Sequence, residues 1–357
     1  MLLLTPGPVS VRPEILAAQT QAMITHRSPE FSALYADLCG RLRQYLGAEE
    51  AYVLTGSGAL GLEALFVNLT FRHERALCLP NGEFGEKLTE TAHIYTEVTT
   101  ATIAGGKGWS LERAKEKIDT SQAQVVALTY NETGYGVRNH VQDICLYAKA
   151  RGLVTIVDGI SAWPGTELNM REFGIDGFVT GSQKGIGAPP GLSLIGLSAA
   201  AVERFSQRES VPSYYLDLRR YRKRFLKDQQ TPNTPAITLL WALQKAFDVL
   251  DGAGGIAACV KRHREAAAYV RERLTAAGFA IIVEPGFESN TVTGFTCATL
   301  EEASRLQSKL EQEYGIKIVK CRGDFKDTGL RIAHMGNFRQ ADLEAGLNAI
   351  ERLAQAA

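Results

Sequence analysis

Neither sign of charge is in surplus in this sequence: 39 Lys and Arg residues face 39 Asp and Glu residues, so the net charge is zero. That balance removes any whole-molecule attraction to nucleic acid or to an anionic membrane. Long apolar runs are missing too. No stretch approaches the ~20 residues that span a bilayer, and the opening Met1-Leu2-Leu3-Leu4 has no basic flank and is too short for a secretory signal. The cysteines, at positions 39, 78, 145, 259, 297 and 321, form no CxxC or CxxH spacing, so no metal site is expected. Six scattered thiols in 357 residues read as buried groups of a reducing compartment, which makes the cytoplasm the expected location. Internal repeats, low-complexity tracts and a P-loop are all absent.

What is present is alternation. Short apolar runs predict strands at 51–54, 76–79, 95–98, 125–128, 153–157, 178–179 and 192–197. Between and before them, amphipathic spacing predicts helices at 14–23, 30–46, 59–69, 83–93, 110–118 and 141–150, with Ser28 capping and Pro29 opening the second. Such alternation signals an α/β fold, a mostly parallel sheet with helices on both faces, and ligands bind outside the C-terminal strand ends. After Ala199 the pattern changes. A basic, helix-like stretch covers 212–227, a helix follows at 236–250, and Asp251-Gly252-Ala253-Gly254-Gly255 punctuates the chain before a long helix at 256–276. Strands at 280–283, 293–297, 316–320 and 329–333 then alternate with helices at 301–314 and 340–354, a compact α+β pattern. The expected division is an N-terminal arm (1–20), a large domain (21–255) and a small C-terminal domain (256–357). The basic stretch reads first as a solvated helix face or interface rim, and less readily as a nucleic-acid surface.

Four features fall at predicted strand ends. Thr55-Gly56-Ser57-Gly58-Ala59 joins a strand to a helix, where bare N–H groups and the helix dipole favour an anion; a plain structural turn explains it as well. Asp158 ends the run 153–157 and suits a ribose, a metal or a protonated ring nitrogen, or else a helix cap. Asn131-Glu132-Thr133 follows another strand and offers an amide and a hydroxyl, equally consistent with turn chemistry. Lys184 lies in TGSQKGIGAPPG, on a loop too rich in Gly and Pro to be helical, where an amine could form a Schiff base or simply be a surface turn lysine. Further on, Arg331 sits in an apolar strand and needs a partner: a bidentate substrate carboxylate or a structural ion pair. Phosphate cradle, acid, lysine and late arginine in that order make chemical sense for pyridoxal 5′-phosphate and an amino acid.

The stretches LLLTPGPVSVRPEIL, HRSPEF, TGSGALGLEALF, NGEFGEKL, NETGYG, VDGISAWPG, GSQKGIGAPPG and LRIAHMG, in this order and spacing, resemble the class V aminotransferases, in particular the alanine–glyoxylate/serine–pyruvate branch. The likeness covers nearly the whole chain. It implies the fold type I architecture of pyridoxal-phosphate-dependent transferases: a mostly parallel seven-stranded sheet in a large domain and a small C-terminal α+β domain. It implies Lys184 as the Schiff-base lysine and Asp158 as the pyridinium partner. Ser57, Gly58, Ala59 and Gln183 match the phosphate site, Phe84 and Ile160 the two faces of the ring, and Thr133 the hydroxyl near the ring oxygen. Gly7 and Arg331 match substrate-binding positions. The family is a homodimer with shared sites, so one of Gln230, Thr231, Asn233 and Thr234, with Thr231 and Asn233 preferred, is expected to reach the partner's cofactor. Four positions depart from the pattern: Ala59 where relatives often have His, Phe84 for a usual Trp, Tyr130 at a usual His, and Tyr135 in the same loop.

The implied activity is ping-pong transfer of an amino group, through a Lys184 aldimine, from a small L-amino acid such as alanine or serine to a 2-oxo acid such as glyoxylate or pyruvate. No second fixed arginine is evident for a dicarboxylate, although aspartate stays open. A lyase or cysteine desulfurase of the same fold is the alternative; Gln183 before Lys184 points away from it, while Cys321 ahead of Arg331 keeps it in view. A catalytically silent scaffold or nucleic-acid-binding protein is the remaining one.

Overall fold

The computed structural model describes residues 1–355. Its main sheet has seven strands: β1 (Glu50–Thr55), β2 (Arg75–Cys78), β3 (Glu97–Thr100), β4 (Val125–Thr129), β5 (Val154–Asp158), β6 (Gly177–Gly181) and β7 (Leu192–Leu197). Their order is β1-β7-β6-β5-β4-β2-β3. Only β7 runs against its neighbours β1 and β6; the other pairs are parallel. Six strands therefore end at one edge of the sheet. The central strands are apolar almost throughout because both faces are covered. One face packs on Phe31, Tyr35, Leu38 and Leu42 of helix Pro29–Leu46 and on helix Ile237–Gly252. The other packs on Leu62, Leu65 and Phe66 of helix Gly58–Leu69 and Leu88 of helix Glu83–Tyr95.

The small domain holds a four-stranded antiparallel sheet of β8 (Ala280–Ile281), β9 (Val292–Thr296), β10 (Val319–Lys320) and β11 (Gly329–Ala333), ordered β8-β9-β11-β10. Val270, Leu274, Leu306, Leu310 and Leu347 from its three helices bury Phe295 and Ile332 of that sheet. At the other end of the chain, Leu2–Leu3 pairs in parallel with Ile316–Lys317. The N-terminal segment is thus fastened to the small domain before it reaches the main sheet.

Several local expectations shift for identifiable reasons. Ser28 does cap helix Pro29–Leu46, accepting the Phe31 amide. The helix expected at 14–23 is a single turn, Pro13–Ala17, that tightens into a 3-10 turn at Ala18–Thr20. The basic stretch is helical only over Leu218–Asp228, because Asp217 caps it by accepting the Arg219 amide. Three of its six cations are paired within the chain: Arg219 with Asp217, Arg222 with Glu50 and Arg224 with Asp228. The run 316–320 divides at buried Ile318, one part pairing with the N-terminus and the other joining the sheet. Helix Ala199–Ser206, capped by Ser198, was not foreseen. No helix among the described residues is long and apolar enough to cross a membrane.

Candidate active site

The turn between β6 and β7 is closed by Ser182, whose hydroxyl donates to Pro189 O (2.6 Å) and accepts from the Leu192 amide (3.2 Å). The Gly187 amide donates to Lys184 O (2.9 Å), which fixes the backbone from which the lysine projects. Lys184 Nζ donates to Pro6 O. The N-terminal segment therefore lies across the lysine, held there by the Val9 amide on Gln183 O (3.1 Å). Gly7 makes that crossing possible. It has φ +130°, and a Cβ there would stand 2.6 Å from Lys184 Nζ. Burial lowers the Lys184 ammonium to about 8; Asp158 pulls it back up and Arg331 pushes it further down. Gly7→Ala is accordingly expected to displace the amine and lower turnover by about 100-fold, as misplacing a reacting group by an ångström does. The measurement is kcat beside an unfolding curve; full activity would show that the amine tolerates the crowding.

Asp158 closes β5 and is 8% exposed. Its Oδ1 accepts the Ile160 amide (2.8 Å), and no helix starts after it, so the cap alternative is not realised. Burial raises the carboxyl to about 6, with the Ile160 amide and the Lys184 charge working against it. The Ile160 side chain leans on the first turn of helix Gly58–Leu69, where a Cβ on Gly58 would come within 2.5 Å of its Cδ1. There the amides of Ser57, Gly58 and Ala59 have no acceptor among the described residues, and the Ser57 hydroxyl makes no cap. Free amides at a helix start attract an anion.

Thr133 and Asn131 share one partner from the loop after β5: the Thr133 hydroxyl donates to Ser161 Oγ (2.6 Å), and Asn131 Nδ2 donates to the same oxygen (2.8 Å). Thr133 O accepts Arg331 Nη1 (2.7 Å), while Arg331 Nε and Nη2 both reach Lys320 O (3.0 and 2.8 Å). Arg331 is 4% exposed and has no carboxylate partner among the described residues, so it is not a structural ion pair. Three of its five N–H groups are spent on carbonyls and two are left for a ligand.

Glu132 is the acid of the NETGYG motif. It is fully buried and accepts the amides of Phe84 (3.1 Å), Gly85 (3.0 Å) and Gly134 (2.8 Å). It thereby seats the start of helix Glu83–Tyr95, with Phe84, against the Thr133 loop. Burial raises its carboxyl to about 7, against the pull of the three amides. A charged residue inside an otherwise uncharged loop motif was the available signal. Gln183 keeps a buried Oε1 with no partner. Thr231 and Asn233 bond within their own stretch of chain. Thr231 Oγ1 bonds Asn233 O (2.8 Å), and Arg27 grips Thr231 O (2.7 Å) and Pro232 O (3.1 Å). Arg27, from HRSPEF, is a second residue whose job became visible only in space.

The Aminotransferase class-V family model matches residues 15–324. An uncharacterised aminotransferase of Methanocaldococcus jannaschii is 32% identical over 354 residues, covering 98% of this chain and 91% of its own. The chain belongs to the class V aminotransferases. An L-aspartate–glyoxylate aminotransferase of Paracoccus denitrificans is 27% identical, over 97% of this chain and 89% of that protein. The crystal structure of an alanine–glyoxylate aminotransferase from Nostoc sp. superposes with a TM-score of 0.94 at 27% identity, over 99% of this chain and 94% of that one. This aminotransferase has the fold type I architecture those relatives share. Its two departures in the Thr133 region each have a hydroxyl partner in the chain's own backbone. The Tyr130 hydroxyl donates to Glu167 O (2.8 Å), and the Tyr135 hydroxyl accepts the Asp324 amide (3.3 Å) with its ring edge-on to Phe325 at 5.6 Å. Tyr135 thus ties the Thr133 loop to the small domain.

Proposed function

We propose that this aminotransferase is pyridoxal-phosphate-dependent and moves the amino group of a small L-amino acid, alanine or serine, to a 2-oxo acid such as glyoxylate or pyruvate. The observation that carries the reading is the convergence of a half-buried amine, a buried acid and an arginine without a carboxylate partner: Asp158 and Arg331 are both close enough to Lys184 to shift its titration, in opposite directions. The donor set suits the cofactor. Free amides at Ser57, Gly58 and Ala59 suit its phosphate, and the unpartnered Gln183 adds an amide beside them. Phe84 and Ile160 would flank the ring, with Thr133 at its oxygen, and Asp158 would hold a proton on the ring nitrogen. When bound, the cofactor supplies an electron sink for the α carbon and a carrier for the amino group.

The rest falls to the chain's own side chains. Arg331 offers two N–H groups to the α-carboxylate, which fixes the amino acid's orientation. Lys184 Nζ takes the proton from the α carbon and later returns one; an amine lowered to about 8 is ready to do both near neutral pH. The Gly7 crossing keeps water off that amine. Two half-reactions on one site give ping-pong kinetics.

A desulfurase would need a reactive thiolate. Cys321 is 2% exposed, hydrogen-bonds Leu330 O and is pushed up to about 12 by burial, which disfavours that role. A homodimer whose 230–234 stretch, set by Arg27, serves the partner's cofactor is part of our reading, as are a cytoplasmic location and the division into 1–20, 21–255 and 256–357. The test is spectroscopic and kinetic. The holoenzyme should carry a visible absorbance that borohydride bleaches and Lys184→Met abolishes, and alanine should shift it until glyoxylate restores it. Sulfide release from cysteine in place of that cycle would sink the proposal.

A further inference from the structure

Arg322 lies nine positions before Arg331, in the turn after β10, and it lines up with the site only in the fold. Its amide donates to Gly134 O (3.3 Å), next to the Thr133 carbonyl that Arg331 holds (2.7 Å). Two arginines thus flank one dipeptide of the large domain. Arg322 Nε stands 3.4 Å from Glu83 Oε2, at the start of the helix whose next residue is Phe84. That is long for a charge-assisted contact, which prefers about 2.7–2.9 Å. Glu83 already has a shorter partner in Lys87 (2.6 Å), one helical turn on. It is held below the usual carboxylate range by Lys87, Arg322 and Arg331 in that order, with burial opposing. One carboxylate therefore contacts two cations and lies within the field of a third.

Other acids nearby are spent or turned away. Glu132 is buried on three amides, and Asp324 accepts the Gly105 amide (3.1 Å). Once Arg331 holds an α-carboxylate, the positive charge left over is that of Arg322, whose side chain is 58% exposed and free to swing. We propose that Arg322 reads a second carboxylate, so that the site takes the four-carbon acidic amino acid aspartate as a donor beside the small neutral ones. Its carboxylate, one methylene from the α carbon, would replace the long contact to Glu83 with a direct charge-assisted pair. This rests on the reading of Lys184, Asp158 and Arg331 given above, and it makes Arg322 a specificity-determining residue rather than a catalytic one.

The experiment compares kcat/KM for aspartate and for alanine, with glyoxylate as acceptor, in the holoenzyme and in Arg322→Gln. Loss of one hydrogen-bonded charge pair predicts a fall of about 10–100-fold for aspartate, carried mainly by KM. Alanine, with no second carboxylate, should change by less than about twofold. Arg322→Lys, which keeps the charge but not the fork, should recover part of the loss. Equal losses on both donors, or an unchanged ratio, would overturn the proposal. A parent enzyme that turns over alanine but not aspartate overturns it too and leaves the aminotransferase reading standing. Failure of both donors, with no borohydride-sensitive absorbance, removes the reading on which it rests.

Discussion

Lys184→Met is expected to lower kcat for both half-reactions by at least about 10²–10⁴-fold, the usual contribution of a positioned acid–base group. Methionine keeps the stem that packs under Gly7 and removes only the amine. Stability supplies the control, because the amine is held against its own preference. Its value of about 8 in the fold lies below the ordinary 10.5. Between those values the unfolded chain holds a proton that the native state has released, so native stability rises with pH there. The cost of burying the ammonium is therefore full below pH 8 and fades towards 10.5. Without the cofactor, Lys184→Met should unfold at a higher temperature than the parent at pH 7, with the advantage shrinking above about pH 8. A variant that loses both activity and stability at pH 7 would mean that the lysine is structural and that its catalytic assignment fails.

That the amine would be buried was not legible in the sequence. TGSQKGIGAPPG located the strand end and the break, since glycines and prolines exclude a helix there. It could not show that the N-terminal segment crosses the lysine, because that contact spans 178 positions and depends on a glycine at φ +130°. The sheet was easier to read. Buried parallel strands are continuous apolar runs, and β7 falls at 192–197 as expected. Errors gathered where tertiary context decides: at Ile318, where one apparent strand serves two sheets, and at Ser198 and Asp217, where a cap sets a helix start.

Within the proposed site, the residues assigned to cofactor and substrate are easier to read from sequence than those that hold the loops around them. Asp158, Lys184 and Arg331 stand out because a charged group at the end of, or inside, an apolar strand needs a reason. Glu132 and Arg27 bind backbone amides and carbonyls, and any polar side chain in a loop could do that. The Tyr135 hydroxyl meets the Asp324 amide across 189 positions, a separation that no local pattern encodes. Arg322 was hidden for the same reason. The Thr133–Gly134 backbone is where the contacts of Glu132, Arg331 and Arg322 meet.

Arg331→Gln tests that junction and the substrate together. Two charge-assisted hydrogen bonds to an α-carboxylate, at about 1.5–3 kcal/mol each, predict a loss of about 10²–10⁴-fold in kcat/KM for alanine. Arg331→Lys should recover little, since a point charge cannot hold a carboxylate in two places. The substitution also frees Lys320 O and Thr133 O, so a lower unfolding temperature is expected and does not by itself distinguish a binding role from a structural one. An amine substrate without a carboxylate does distinguish them. If Arg331 serves the carboxylate, parent and variant should turn over such an amine with nearly equal kcat/KM, however large the gap on alanine. If the variant is equally poor on both, the arginine acts by holding Thr133 against β10, and the carboxylate is bound elsewhere. The equal case is expected, because a side chain this buried, in a strand this apolar, keeps two N–H groups that no acceptor in the described chain satisfies.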